Sequence, residues 1–159
     1  MAKILRSGVV LAVAVLALTA CSSSSSTKPS DRVLIMLTHG PDPANQTSYT
    51  ETDLWEINLA ISLGNRALAA HRPATLFLDV HGPALARKDL DPTLHFQSEP
   101  PIKTQLADFV AKGGTVMICP LCAQVMGVKL QDVIPGVIFN DAGIFGTKGL
   151  APGTTSLSF

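Results

Sequence analysis

Apolar residues along this chain fall into two kinds of run. Arg32-Val33-Leu34-Ile35-Met36-Leu37, Ala74 to Val80, Thr115 to Ile118 and Val137 to Phe139 are short and almost unbroken, as expected of strands covered on both faces. Thr154 to Phe159 is expected to form a fifth strand. Between them, apolar positions recur at helical spacing. Leu54, Ile57, Ile61 and Leu68 make one stripe, with Gly64 on it, after a start near Ser48 or Thr50 where Glu51 and Asp53 can complete a capping box. Arg72-Pro73 ends that helix. A second stripe, Ile102, Leu106, Phe109 and Val110, begins at Pro101 and stops at Gly113-Gly114. Ala123 to Met126 reads as a short third helix, Ala84 to Lys88 as another short one, and the Gly-rich stretch Asp141 to Leu150 as weakly helical at best. Strands alternating with helices predict an α/β fold with a mostly parallel sheet of about five strands and helices on both faces. The periodicity leaves the strand order open.

The first thirty residues follow a different logic. Lys3 and Arg6 precede an apolar run, Val9 to Leu18, that is too short for an ordinary membrane span. Leu18-Thr19-Ala20-Cys21 then resembles a bacterial lipobox, in which the cysteine is lipidated and becomes the mature N-terminus. Ser22 to Ser30 is a polar tether with nothing to bury. The expected organisation is a lipoprotein signal over 1–20, a lipid-anchored tether over 21–30 and one domain over 31–159. Serine after Cys21 points, in a Gram-negative cell, to an outer-membrane anchor facing the periplasm.

Charge narrows the partners. Twelve basic and twelve acidic side chains balance, and no Lys/Arg cluster or aromatic-rich strand stands out. Nucleic acid is therefore not an expected partner, and no cofactor motif is present.

Cysteine usage directs attention to Cys119-Pro120-Leu121-Cys122, because Cys21 belongs to the lipobox. The pair lies where an apolar strand gives way to helix, so backbone N–H groups and the helix dipole favour thiolate, the form that attacks, carries sulfur or binds metal. Cys119 is expected to be the more acidic thiol. Outside the cytoplasm such a pair can also persist as a disulfide. In an open parallel sheet, ligands gather at the carboxyl ends of the strands. That rule places His39 after the first strand, Asp79 and His81 after the second, and both cysteines after the third. Asp79 ends an apolar strand and needs a partner, for which a backbone N–H or Arg87 would suffice. One rim could thus support sulfur chemistry at Cys119 and Cys122. Alternatively, it could hold Zn or Cu on His39, His81, Cys119 and Cys122, or work as a simple dithiol oxidoreductase.

The segments Val33 to Pro41, Phe77 to Gly82, Lys112 to Cys122 and Leu157-Ser158-Phe159 together resemble the DsrE/DsrF-like family. The resemblance implies a three-layer, flavodoxin-like α/β fold that assembles as trimers or hexamers, and a persulfide-carrying cysteine just after a central strand. Cys119 matches that position. Cys122 and the export signal depart from the relay members. The expectation is an exported thiol protein that takes sulfane sulfur from a small sulfur species or a partner thiol protein.

Overall fold

The computed structural model describes residues 31–42 and 48–159, so the expected signal, tether and Cys21 lie outside the described residues. Five strands form one sheet: β1 (Val33–Leu37), β2 (Ala74–Leu78), β3 (Thr115–Ile118), β4 (Val137–Phe139) and β5 (Thr155–Ser158). Their order is β4-β3-β2-β1-β5 and every pairing is parallel. The three central strands are almost wholly buried, as their unbroken apolar runs require.

Helix α1 (Glu51–Ala69) starts at Thr50, whose side chain accepts the Asp53 N–H while the Asp53 carboxylate accepts the Thr50 N–H. This is the expected capping box. At the other end His71 takes a left-handed backbone, φ +57°, so that the Arg72 N–H turns back to the Ala67 carbonyl at 2.9 Å. His71 therefore serves the helix end, as its position in the sequence suggested. Helix α2 (Ile102–Ala111) buries Ile102, Leu106 and Phe109, three residues of its expected stripe. A side chain on Gly64 of α1 would meet the Phe109 ring at 2.8 Å, and one on Gly114 would meet it at 2.4 Å. Gly64 thus serves close packing against α2 rather than against the sheet. Full burial of the Phe109 ring contributes about 2–3 kcal/mol.

The two faces of the sheet are unequally covered. Val33, Ile35, Leu37, Leu76, Leu78, Val116 and Ile118 join the buried residues of α1 and α2 in the main core. On the opposite face Leu34, Phe77 and Met117 are covered by Ile144 and Phe145. These come from a single turn, α4 (Ala142–Ile144), continued as a π-helical turn over Phe145–Gly149. The Phe145 ring sits 4.9 Å from that of Phe77. The Gly-rich stretch read as weakly helical is this thin lid. Helices do flank both faces, but only one carries a full layer.

One boundary differs from expectation. The second apolar run leaves the sheet at Leu78, two residues before Val80, because Asp79 and Val80 turn away into the rim. Among the described residues, no helix is long and apolar enough to cross a membrane.

Candidate functional site

The carboxyl ends of β1, β2 and β3 form the rim, and hydrogen bonds stitch their loops together. The Asp79 N–H donates to the Leu37 carbonyl at 3.2 Å and the His81 N–H to Thr38 at 3.1 Å. The Cys119 N–H donates to the Leu78 carbonyl at 3.0 Å. Only glycines fit where these loops cross: a Cβ on Gly40 would lie 2.3 Å from the His81 carbonyl oxygen, and one on Gly82 would lie 2.4 Å from that of Leu37.

Since Leu78 and Ile118 are partners in the sheet register, Asp79 and Cys119 leave adjacent strands side by side. Cys119 caps helix α3 (Pro120–Val125), with Pro120 pre-set at the first helical position. The Cys119 Sγ accepts the Cys122 N–H at 3.4 Å and the Cys122 S–H at 2.9 Å. The two thiols are free and half-buried, within a side-chain rotation of S–S bonding distance. Their roles are unequal: Cys119 is an acceptor twice, and Cys122 is a donor. Burial pushes the Cys122 thiol up to about 11, reinforced by its bond to Cys119 and by the Cys119 and Asp79 charges, while the Val80 backbone opposes the rise. The direction agrees with the expected lower reactivity of Cys122.

Of the neighbours of the thiols, Val80 was not read as a site residue, and Asp79, read as a rim carboxylate, has other surroundings than expected. Val80 has φ +49°, a left-handed conformation costly for a β-branched residue, and its backbone lowers the Cys122 thiol against the effect of burial. Nothing in the sequence signals it, because valine is an ordinary strand residue. For Asp79 a backbone N–H or Arg87 was the expected partner; its own N–H lowers the carboxyl, while Oδ1 is buried without a hydrogen bond. Arg87 pairs with Asp89, at 2.6 Å. Burial raises the Asp79 carboxyl above its usual range, offset only in part by its own N–H.

The histidines do not join the thiols. His39 Nδ1 pairs with Asp53 Oδ1 at 2.9 Å, and Nε2 contacts Glu56, both on α1. Burial pushes Asp53 up, but hydrogen bonds from Thr50 and His39 outweigh it and hold the carboxyl below its usual range. His81 precedes the 3-10 turn Gly82–Ala86, and His95 bonds the Thr93 carbonyl far along the loop. Among the described residues, no three His, Cys, Asp or Glu side chains are grouped to hold a metal ion, so the set His39, His81, Cys119 and Cys122 is not assembled.

The comparisons with known proteins agree with this architecture. No protein-family model matches the chain, and no curated protein matches it. Solved structures do. The YchN protein from E. coli superposes with a TM-score of 0.59 at 19% identity, covering 80% of this chain and 98% of that one. MTH1491 from Methanobacterium thermoautotrophicum, a protein of unknown function, gives 0.53 at 15% identity with the same coverage. The fold is thus α/β and flavodoxin-like, with a parallel five-stranded sheet, as expected, and it is shared with these two structures. At these identities the likeness is one of fold.

Proposed function

We propose that this protein accepts sulfane sulfur on Cys119 and that Cys122 resolves the adduct. The carrying observation is the asymmetric thiol pair at the carboxyl end of β3, with the Cys119 sulfur accepting from both Cys122 donors. In the first step the Cys119 thiolate attacks the outer sulfur of a polysulfide or partner persulfide R–S–SH. The donor S–S bond breaks, RS⁻ leaves and Cys119–S–SH forms. In the second, Cys122 attacks the Cys119 sulfur, giving the Cys119–Cys122 disulfide and releasing the added sulfur as sulfide, which takes up the electrons of the two thiols. Leu121 and Val125, 69% and 75% exposed one turn apart on α3, and Val80 at 50% give a partner thiol protein an apolar surface beside the pair.

The same proposal places the protein in the bacterial envelope, anchored through a lipid on Cys21. A trimer or hexamer completes it, supported by the thinly covered face where Met36, Ile138, Ile144 and Phe145 remain half-buried. A second reading, a dithiol oxidoreductase without sulfur transfer, is favoured by the 2.9 Å approach of the two sulfurs.

Intact mass separates the two. Polysulfide should add one sulfur, ~32 Da, to reduced protein at Cys119. The adduct should persist in Cys122→Ser, decay to a disulfide in the wild type, and be absent in Cys119→Ser. Equal loading of Cys119→Ser would end the sulfur-carrier reading, and a disulfide formed with no adduct trapped in Cys122→Ser would favour the oxidoreductase.

A further inference from the structure

Resolution poses a chemical problem. Burial raises the Cys122 thiol above its ordinary range, so little of it is thiolate at neutral pH and its attack needs a proton acceptor at hand. Three features of one short segment supply it. Asp79 leaves β2 beside the residue where Cys119 leaves β3. Its Oδ1 is buried and has no hydrogen-bond partner, whereas the Asp53 carboxylate on the same rim is held by Thr50 and His39. The next residue, Val80, keeps a left-handed backbone, φ +49°, and the Cys122 sulfur lies 2.9 Å from that of Cys119, so the carboxylate and both thiols meet where β2 and β3 end. An unsatisfied buried carboxylate oxygen costs stability, and such costs cluster at functional sites.

We infer that Asp79 is the proton carrier of the resolving step. Asp79 takes the proton of the Cys122 thiol as its sulfur attacks Cys119. Two electrons pass from the thiol pair to the departing sulfur, and the carboxyl then returns the proton to HS⁻, releasing hydrogen sulfide and restoring Asp79. The balance is Cys122–SH plus Cys119–S–SH giving Cys119–S–S–Cys122 plus H₂S, with no outside oxidant. The titratable side chains whose charge the Cys122 thiol senses are Cys119 and Asp79, so the proton has a short list of destinations. The Val80 peptide supports the sulfur while it is negative. The inference rests on the proposed resolving role of Cys122, but not on the identity of the group that Cys119 carries.

The test is therefore run with two adducts on the full folded protein. In the first, Cys119 is loaded with polysulfide, the excess is removed, and decay to the disulfide is followed by mass. In the second, Cys119 carries 5-thio-2-nitrobenzoate as a mixed disulfide, and attack by Cys122 releases the coloured thiolate. In Asp79→Asn both decays should slow at least tenfold at pH 7. Both should then speed up with rising pH without the inflection that a carboxylate gives the wild type, and Asp79→Glu should recover part of the rate. Circular dichroism checks that each variant is folded. Wild-type rates and an unchanged pH profile in Asp79→Asn, for the coloured adduct, would overturn the inference. Failure of wild-type Cys119 to hold sulfur, with the coloured decay still dependent on Asp79, would remove sulfur as the cargo and leave the proton carrier standing.

Discussion

The two ends of the rim are built on opposite terms. Where β1 meets α1, the charged groups are paired: His39 lies between Asp53 and Glu56, and Asp53 also closes the capping box with Thr50. A few ångströms across the sheet, where β2 and β3 end, the structure holds an unbonded carboxylate, a left-handed valine and two thiols with unequal surroundings. The matched end joins a long helix to the sheet. The unmatched end costs stability, and that cost is concentrated around the residues able to react.

The contrast can be sharpened first through reactivity, where the effect is largest. Mass-mapped alkylation of the reduced wild type should label Cys122 slowly at neutral pH, on the order of a hundredfold below an exposed cysteine, and the rate should climb toward pH 11. Fast, equal labelling of both thiols would erase the asymmetry. Next comes the matched end. Asp53→Ala removes the carboxylate half of the capping box and releases His39, so urea unfolding should show a loss of about 1–2 kcal/mol. No loss there would mean that the matched network is ornamental.

The smallest effect has the opposite sign. Asp79 has a raised folded-state carboxyl, so the fold prefers it protonated. That preference is fully available below the unfolded pKa and is lost as pH rises through the folded value. At pH 7 Asp79 is therefore a burden, and Asp79→Asn should melt higher than wild type. The gain, discounted for the solvent that still reaches the side chain, stays below about 1 kcal/mol and should vanish near pH 3. A variant that melts lower at pH 7 would show a structural bond to Asp79.

Much of this contrast was hidden from the sequence, for identifiable reasons. The buried strands announced themselves by unbroken apolar runs, and the α1 start by Thr50 and Asp53. The order β4-β3-β2-β1-β5 could not be read, because it depends on where the chain after β4 recrosses the sheet, and Asp141 to Leu150 carries little pattern. Cys119 was legible from its place after a strand. Asp79 was legible as a rim carboxylate but its unpartnered Oδ1 was not, and Val80 extends an apolar run from which only the loop geometry separates it. The His39 partnership with α1 was missed because Asp53 already had a sufficient explanation as a capping residue. The residues of the metal reading come from three strand ends: they share a rim, and among the described residues they are not grouped around one centre.

The strand order also has a consequence for how the molecule assembles. Strands β1 to β4 lie in chain order, so each can add to the one before it. The last strand instead returns to β1: the Thr38 hydroxyl donates to the Phe159 carbonyl at 2.7 Å across 121 positions of sequence. Closing that loop in an unfolded chain is about 2 kcal/mol costlier than closing the short span from Phe139 to Thr155 once the first four strands are in place. The final strand therefore docks late onto a sheet that already holds both cysteines, and its four exposed residues give it little to resist leaving again. In hydrogen exchange its amides should open first, baring the edge of β1 while the thiol rim stays folded.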